Sequence, residues 1–134
     1  MEPRCTGSAT ILVVDDDIDW RLLLCESLES AGYRVLDAPR GDVALTMVEQ
    51  QQPDVVVLDH HVPGLNGLDV IMQLRRRWPR LPILLMSAFA DRSVVERAHE
   101  LGVTHYLDKP FPMVRLLEEI DSLSVAPPRS PGVG

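Results

Sequence analysis

Residues Val55 to Gly67 read VVVLDHHVPGLNG. Four branched apolar side chains run straight into a carboxylate, and a Pro-Gly and an Asn-Gly pair follow. An apolar run without polar alternation fits a strand buried on both faces, as in a parallel sheet covered by helices. The two glycine pairs mark a loop. Asp59 is then the first charge where the chain leaves the sheet, ahead of a loop poorly suited to cover it. A carboxylate in that place asks for a chemical reason.

Outward from this stretch, apolar runs and helical patterns alternate. TILVVD (Thr10 to Asp15) reads as a buried strand. Trp20, Leu24, Leu28 and Ala31 share one helical face, and Gly32 stops that helix. YRVLDA is a second strand, followed by Gly41 and a short helix through Ala44, Leu45 and Val48. DVVVLD is the third strand, and Asn66 is placed to cap a helix carrying Leu68, Ile71, Met72 and Leu74. PILLMSA is the fourth, with Asp91 a cap for a helix to Leu101 that Gly102 closes. THYLD is the fifth, and PMVRLLEEIDSL the last helix. This β–α rhythm predicts an α/β fold: a doubly wound five-stranded parallel sheet with helices on both faces. The ending SVAPPRSPGVG is too rich in Pro, Gly and Ser to pack and reads as a tail or linker.

At 134 residues the chain suffices for one domain with a single core. Its hydrophobic content of 46% and charged content of 25% are those of a soluble globular protein. No apolar run approaches the roughly 18 residues that cross a bilayer. MEPRCTGSAT lacks the basic flank and apolar stretch of a signal peptide, so a cytoplasmic protein is expected. Cys5 and Cys25 suggest neither a disulfide framework nor a zinc site. A net charge of −7 argues against nucleic acid as a direct partner. The one basic cluster, Arg75-Arg76-Arg77, reads as the C-terminal end of a helix, where cations suit the macrodipole.

Ligands of open α/β sheets bind beyond the carboxyl ends of the strands, where strand order reverses. Asp15 and Asp16 end the first strand, Asp59 the third and Ser87 the fourth, while Lys109 follows the fifth. In the order 2-1-3-4-5, strands one and three are neighbours about 4.8 Å apart. Three carboxylates then share one pocket and repel one another unless a cation is present. All-oxygen donors in small number suit Mg²⁺, which keeps waters and shares its shell with phosphate. Lys109 stands two strands from Asp59, roughly 10 Å, a span that only a long side chain recrosses. A carboxylate with a metal on one side, a lysine on the other and the Ser87 hydroxyl nearby is equipped to accept a phosphoryl group.

ILVVDDD, VVVLDHHVPGLNG, LLMSA and YLDKPF, in this order and spacing, resemble the receiver domain of two-component response regulators. The resemblance covers residues 9–123 and implies the flavodoxin-like receiver fold, leaving 1–8 as a flexible N-terminus and 124–134 as the tail. It implies that Asp59 is phosphorylated by a histidine kinase, a phosphotransfer protein or a small phosphodonor. By the same resemblance, Asp16 ligates Mg²⁺ or Mn²⁺ directly, Asp15 acts largely through water, Asp59 contributes its carboxylate and His61 its backbone carbonyl. Ser87 and Lys109 would hold the phosphoryl oxygens, and Tyr106 would be the aromatic switch residue. A cis peptide is expected at Lys109-Pro110. The resemblance implies a phosphoacceptor signalling domain rather than an enzyme with a separate substrate. Its output would be a changed surface on the fourth helix, fifth strand and fifth helix, read by a downstream protein or output domain. His60 and His61 lack the spacing of a helical metal pair and read as loop side chains flanking the pocket, as does Phe89. Asp17 is expected to cap the first helix.

Two other readings compete. A degenerate receiver would serve as a constitutive interaction module, but Asp15, Asp16, Asp59, Ser87 and Lys109 are all present. An aspartyl-phosphate hydrolase of the haloacid dehalogenase type wants an acid two residues after its nucleophile, where His61 stands.

Overall fold

The structure is a computed structural model that describes residues 9–61, 66–88, 92–103 and 105–125. Five strands alternate with five helices. They are β1 (Thr10–Val14), α1 (Ile18–Ser30), β2 (Arg34–Ala38), α2 (Gly41–Gln51), β3 (Val55–Asp59), α3 (Gly67–Arg77), β4 (Ile83–Ser87), α4 (Arg92–Glu100), β5 (His105–Asp108) and α5 (Met113–Val125). All neighbouring strands pair in parallel, in the order β2-β1-β3-β4-β5. The chain therefore reverses direction across the sheet between β1 and β3. Val14 stands opposite Leu58 and Asp59 opposite Met86, which puts the residue after β1 and the last residue of β3 side by side.

The apolar runs are long because both faces of the central strands are covered. Leu12, Val14, Val56, Leu58 and Leu85 meet Ala44 and Val48 of α2, Val70, Ile71 and Leu74 of α3, and Val94 and Ala98 of α4. Their alternate neighbours, Ile11, Val13, Val57, Leu84 and Met86, meet Leu24 and Leu28 of α1 and Leu116 and Ile120 of α5. Pleating sends successive residues to opposite faces, so a strand sandwiched between two helix layers has no polar position left. β2 lies at an edge and only Ala38 in it is buried.

The helix ends follow the local chemistry. Asp17 caps α1, its carboxylate accepting the amides of Asp19 at 3.0 Å and Trp20 at 3.3 Å. Asn66 caps α3 through the amide of Asp69 at 3.0 Å. Gly32 and Gly102, at φ +101° and +87°, turn the chain after α1 and α4 in a conformation that suits glycine. Arg75, Arg76 and Arg77 form the last turn of α3. Arg75 does more than complement the dipole: its half-buried guanidinium donates to the carbonyls of Leu101 at 2.8 Å, Leu81 at 2.7 Å and Trp78 at 3.3 Å. It ties the end of α4 to the segment leading into β4. Burial lowers the Arg75 pKa from its usual value. On α1, Ile18, Leu22 and Leu23 are exposed, outside the buried face that the spacing predicts. The proposed cap Asp91, the loop 62–65, Thr104, Phe89, residues 1–8 and the tail from 126 lie outside the described residues.

Candidate functional site

Each strand of the parallel sheet delivers its last polar residue to the same end. β1 stops at Val14, and Asp15 stays in line with it because its amide donates to the Ala38 carbonyl at 3.1 Å. The Asp15 side chain is fully buried. One carboxylate oxygen accepts the Asp17 amide at 2.9 Å and the other the Lys109 ammonium at 2.9 Å. The Asp15 carbonyl accepts Arg21 Nη1 at 2.7 Å, and Arg21 Nε pairs with Asp37 at 2.9 Å. Backbone and side chain of Asp15 are thus both fixed. Asp16, next in sequence, faces outward and is exposed.

Asp59 ends β3 with 4% of its surface accessible. Its Oδ1 accepts the His61 amide at 3.2 Å and its Oδ2 the Lys109 ammonium at 3.3 Å. His60 hands the chain over to α3: its amide donates to the Met86 carbonyl, and its carbonyl accepts the Gly67 amide, each at 2.9 Å. The His60 and His61 rings meet edge to face, centroids 4.6 Å apart. Carboxylate oxygens of Asp15, Asp16 and Asp59 all lie within 4.8 Å of one another.

Lys109 follows β5, and its amide donates to the Ser87 carbonyl at 2.8 Å, which aligns the ends of β4 and β5. Its side chain recrosses the sheet to reach both buried carboxylates. The Lys109-Pro110 peptide is cis. Ser87 is buried at the end of β4. Tyr106 lies half-buried against the α2–α3–α4 side of the core, its hydroxyl donating to Asp108 at 2.6 Å. Burial and the Asp108 carboxylate push the Tyr106 phenol up to about 12, while a hydrogen bond with Ser87 acts in the opposite direction. Ser87 and Tyr106 are therefore in side-chain contact.

The electrostatics follow from burial. Loss of solvent, then the charge of Asp15, raise the Asp59 carboxyl above the usual aspartate range. The charge of Lys109 and the His61 amide only partly oppose this. For Lys109, burial pulls the pKa down, but its bond to Asp15 and the charges of both carboxylates outweigh that, and the net shift is upward. The cluster holds three carboxylates and one ammonium, all hard donors or a single cation, and a divalent ion with oxygen preference fits the excess negative charge.

Asp15, Asp16, Asp59, Ser87, Lys109 and Tyr106 are thus gathered at one end of the sheet, with His61 tied to Asp59 by its amide. Two further neighbours escaped the sequence reading. Arg21 holds the Asp15 carbonyl, and Trp20, read only as a core-facing helix residue, lies with its ring 5.5 Å from the Lys109 ammonium. The available signal was proximity: Trp20 sits in the first turn of a helix that starts beside Asp15 to Asp17.

A doubly wound parallel sheet that gathers carboxylates, a lysine and a serine at its switch point has the architecture of a receiver domain. Residues 11–121 match the response regulator receiver domain, and the chain belongs to that family. It is 32% identical to sporulation initiation phosphotransferase F of Bacillus subtilis (strain 168) over 101 residues, 75% of this chain and 82% of that protein. It is 44% identical over 118 residues to response regulator MprA of Mycobacterium bovis (strain BCG / Pasteur 1173P2), covering 87% of this chain but only 50% of MprA. The chain thus spans about half of that relative. The chemotaxis response regulator CheY4 of Vibrio cholerae superposes with a TM-score of 0.82 at 28% identity, over 87% of this chain and 99% of that one. No helix among the described residues is long and apolar enough to cross a membrane.

Proposed function

We propose that this chain accepts a phosphoryl group on Asp59 from a histidine kinase or phosphotransfer protein and signals through an altered protein-binding surface. The observation that carries this reading is the setting of Asp59: a buried strand-end carboxylate, one oxygen on the Lys109 ammonium, within 4.8 Å of Asp15 and Asp16. An Asp59 oxygen forms the new bond to phosphorus while the bond from phosphorus to the donor breaks. With acetyl phosphate, acetate leaves carrying the electron pair. Asp15, Asp16, Asp59 and the His61 carbonyl would hold Mg²⁺ or Mn²⁺, whose charge would neutralise the phosphoryl oxygens during transfer. Lys109 gives a second positive charge beside Asp59, and Ser87 a neutral donor. The chemistry assigned to the chain is limited to its own phosphorylation and dephosphorylation. Tyr106, in contact with Ser87, would relay the change to the surface of α4, β5 and α5, read by a downstream protein or output domain.

Intact-mass measurement after acetyl phosphate treatment tests the reading. The parent should gain one phosphoryl group with Mg²⁺ and none with a chelator, and Asp59→Asn should gain none. Equal labelling of Asp59→Asn sinks the assignment. Asp16→Asn should need a far higher Mg²⁺ concentration for the same rate.

A further inference from the structure

Lys109 is the only lysine in the chain. Its ammonium is bonded to Asp15 at 2.9 Å and Asp59 at 3.3 Å, and the face of Trp20 lies 5.5 Å away. A lysine head is a mobile point charge on a four-carbon stem, so two carboxylates alone do not fix where it rests. An aromatic face attracts a cation within about 6 Å of its centroid, more strongly where water is excluded, and indole is the strongest such face. The Lys109 side chain is 15% exposed, which meets that condition.

The Trp20 ring is itself held from two directions. Phe111, two residues beyond Lys109, meets it edge to face, centroids 5.1 Å apart and planes at 78°. Its backbone amide is anchored on the capping carboxylate of Asp17 at 3.3 Å. The indole Nε1 is buried and finds no hydrogen-bond partner among the described residues. A buried donor without an acceptor carries a desolvation cost that a leucine of similar reach avoids. Packing against the apolar core offsets part of it, and the Lys109 ammonium over the ring's face adds a charged contact.

We propose that Trp20 is a positioning residue for phosphoryl transfer: its face, backed by Phe111, holds the Lys109 ammonium where it spans Asp15 and Asp59. The role rests on the reading of Asp59 as phosphoacceptor. Trp20→Phe keeps an aromatic face and Trp20→Leu keeps only apolar bulk, so the pair separates a cation–ring contact from core filling.

The experiment measures initial labelling of the full chain by acetyl phosphate at saturating Mg²⁺, with melting temperatures beside it. Trp20→Phe should label within about threefold of the parent and Trp20→Leu about tenfold more slowly. In a Lys109→Met background the same two substitutions should change the rate no further, since Trp20 acts only through Lys109. With ¹³C-lysine, the single ε-methylene signal should lie upfield of its position in urea, remain so in Trp20→Phe and lose the shift in Trp20→Leu. Equal rates for the two variants, or an undiminished loss in the Lys109→Met background, overturns the role. Should Trp20→Leu fail to fold, an unshifted ε-methylene signal in the parent overturns it equally. A parent that takes up no phosphoryl group sinks the reading of Asp59 and this role with it. A parent that labels normally beside an equally fast Trp20→Leu sinks only the role of Trp20.

Discussion

Burial and the neighbouring charge of Asp15 both favour the protonated form of Asp59, and Lys109 offsets them only in part. A carboxyl whose pKa is higher in the folded chain than in the unfolded one binds its proton more tightly when folded. Its contribution to stability is full below the unfolded pKa and lost as pH rises through the folded one. Ionised Asp59 is thus a strain on the folded chain at neutral pH when no divalent cation is bound. In the presence of a chelator, Asp59→Asn should melt higher than the parent at pH 7, with the gap closing toward pH 3.5. The gain should be a few degrees, since about 1 kcal/mol moves the midpoint of a domain this size by ~4 °C. A mutant melting below the parent at pH 7 would show that Lys109 more than satisfies the charge. Cys25 makes a second residue-level case. Burial first, then the charges of Asp37 and Glu29, push its thiol up to about 11. The thiolate is the reactive form, and against a thiol at 9.0 its fraction at pH 8 falls on the order of 100-fold. In Cys5→Ser, the remaining thiol should react with a disulfide reagent on the order of tenfold more slowly folded than in urea, since a thiolate of higher pKa is the better nucleophile and recovers part of the lost fraction. Comparable rates in both would place Cys25 in water.

At the scale of elements, the first residue of α3 packs tightly against the residue that follows β3. A Cβ on Gly67 would stand 2.7 Å from the His60 Cα, a backbone atom that cannot swing aside. Gly67→Ala should therefore push α3 away from the end of β3 and cost about 1–3 kcal/mol, as overpacking does. Because His60 follows Asp59, labelling by acetyl phosphate should slow as well. Urea titration and intact mass check both, and an unchanged midpoint would mean that α3 can slide freely on the sheet. This join was half legible in the sequence. The apolar run, the Asp at its end and the Asn66 cap are local patterns, and local patterns report element type and register well. The gathering of Asp15, Asp16, Asp59, Ser87 and Lys109 was legible too, because parallel strands deliver their carboxyl ends to one edge of the sheet. Apart from the reach of Lys109 to Asp59, contacts chosen by side-chain reach were not. Lys109 meets Trp20 across 89 positions of sequence, and Arg75 finds carbonyls at Leu101 and Leu81, with no periodic signal marking either pairing.

For the molecule as a whole, the proposed function asks how a charge added at Asp59 would reach the face of α4, β5 and α5. A phosphoryl group brings roughly −1.5 to −2 charges near neutral pH and strong acceptor oxygens. Lys109 is already committed to Asp15 and Asp59, so Ser87, buried one strand away, is the neutral donor most available to answer it. Ser87 also touches Tyr106, whose ring packs on the same side of the sheet as Val94 and Ala98 of α4. Drawing the Ser87 hydroxyl toward phosphate would break that contact and free the space beside the ring. Tyr106 would then exchange its exposed bond to Asp108 for a buried position, a choice that need differ by only a few kcal/mol to shift the population. Backbone amide NMR with beryllofluoride, an acyl-phosphate mimic, reads the outcome. In the parent, shifts should extend from Asp59 and Lys109 through residues 92–103 and 105–120. In Ser87→Ala the mimic should still bind, with shifts confined to the ends of β1, β3 and β5. Tyr106→Phe, which loses the Asp108 bond but keeps the ring, should respond as widely as the parent. Shifts that stop at the pocket in the parent, or that spread undiminished in Ser87→Ala, would mean that the coupling does not run through this serine.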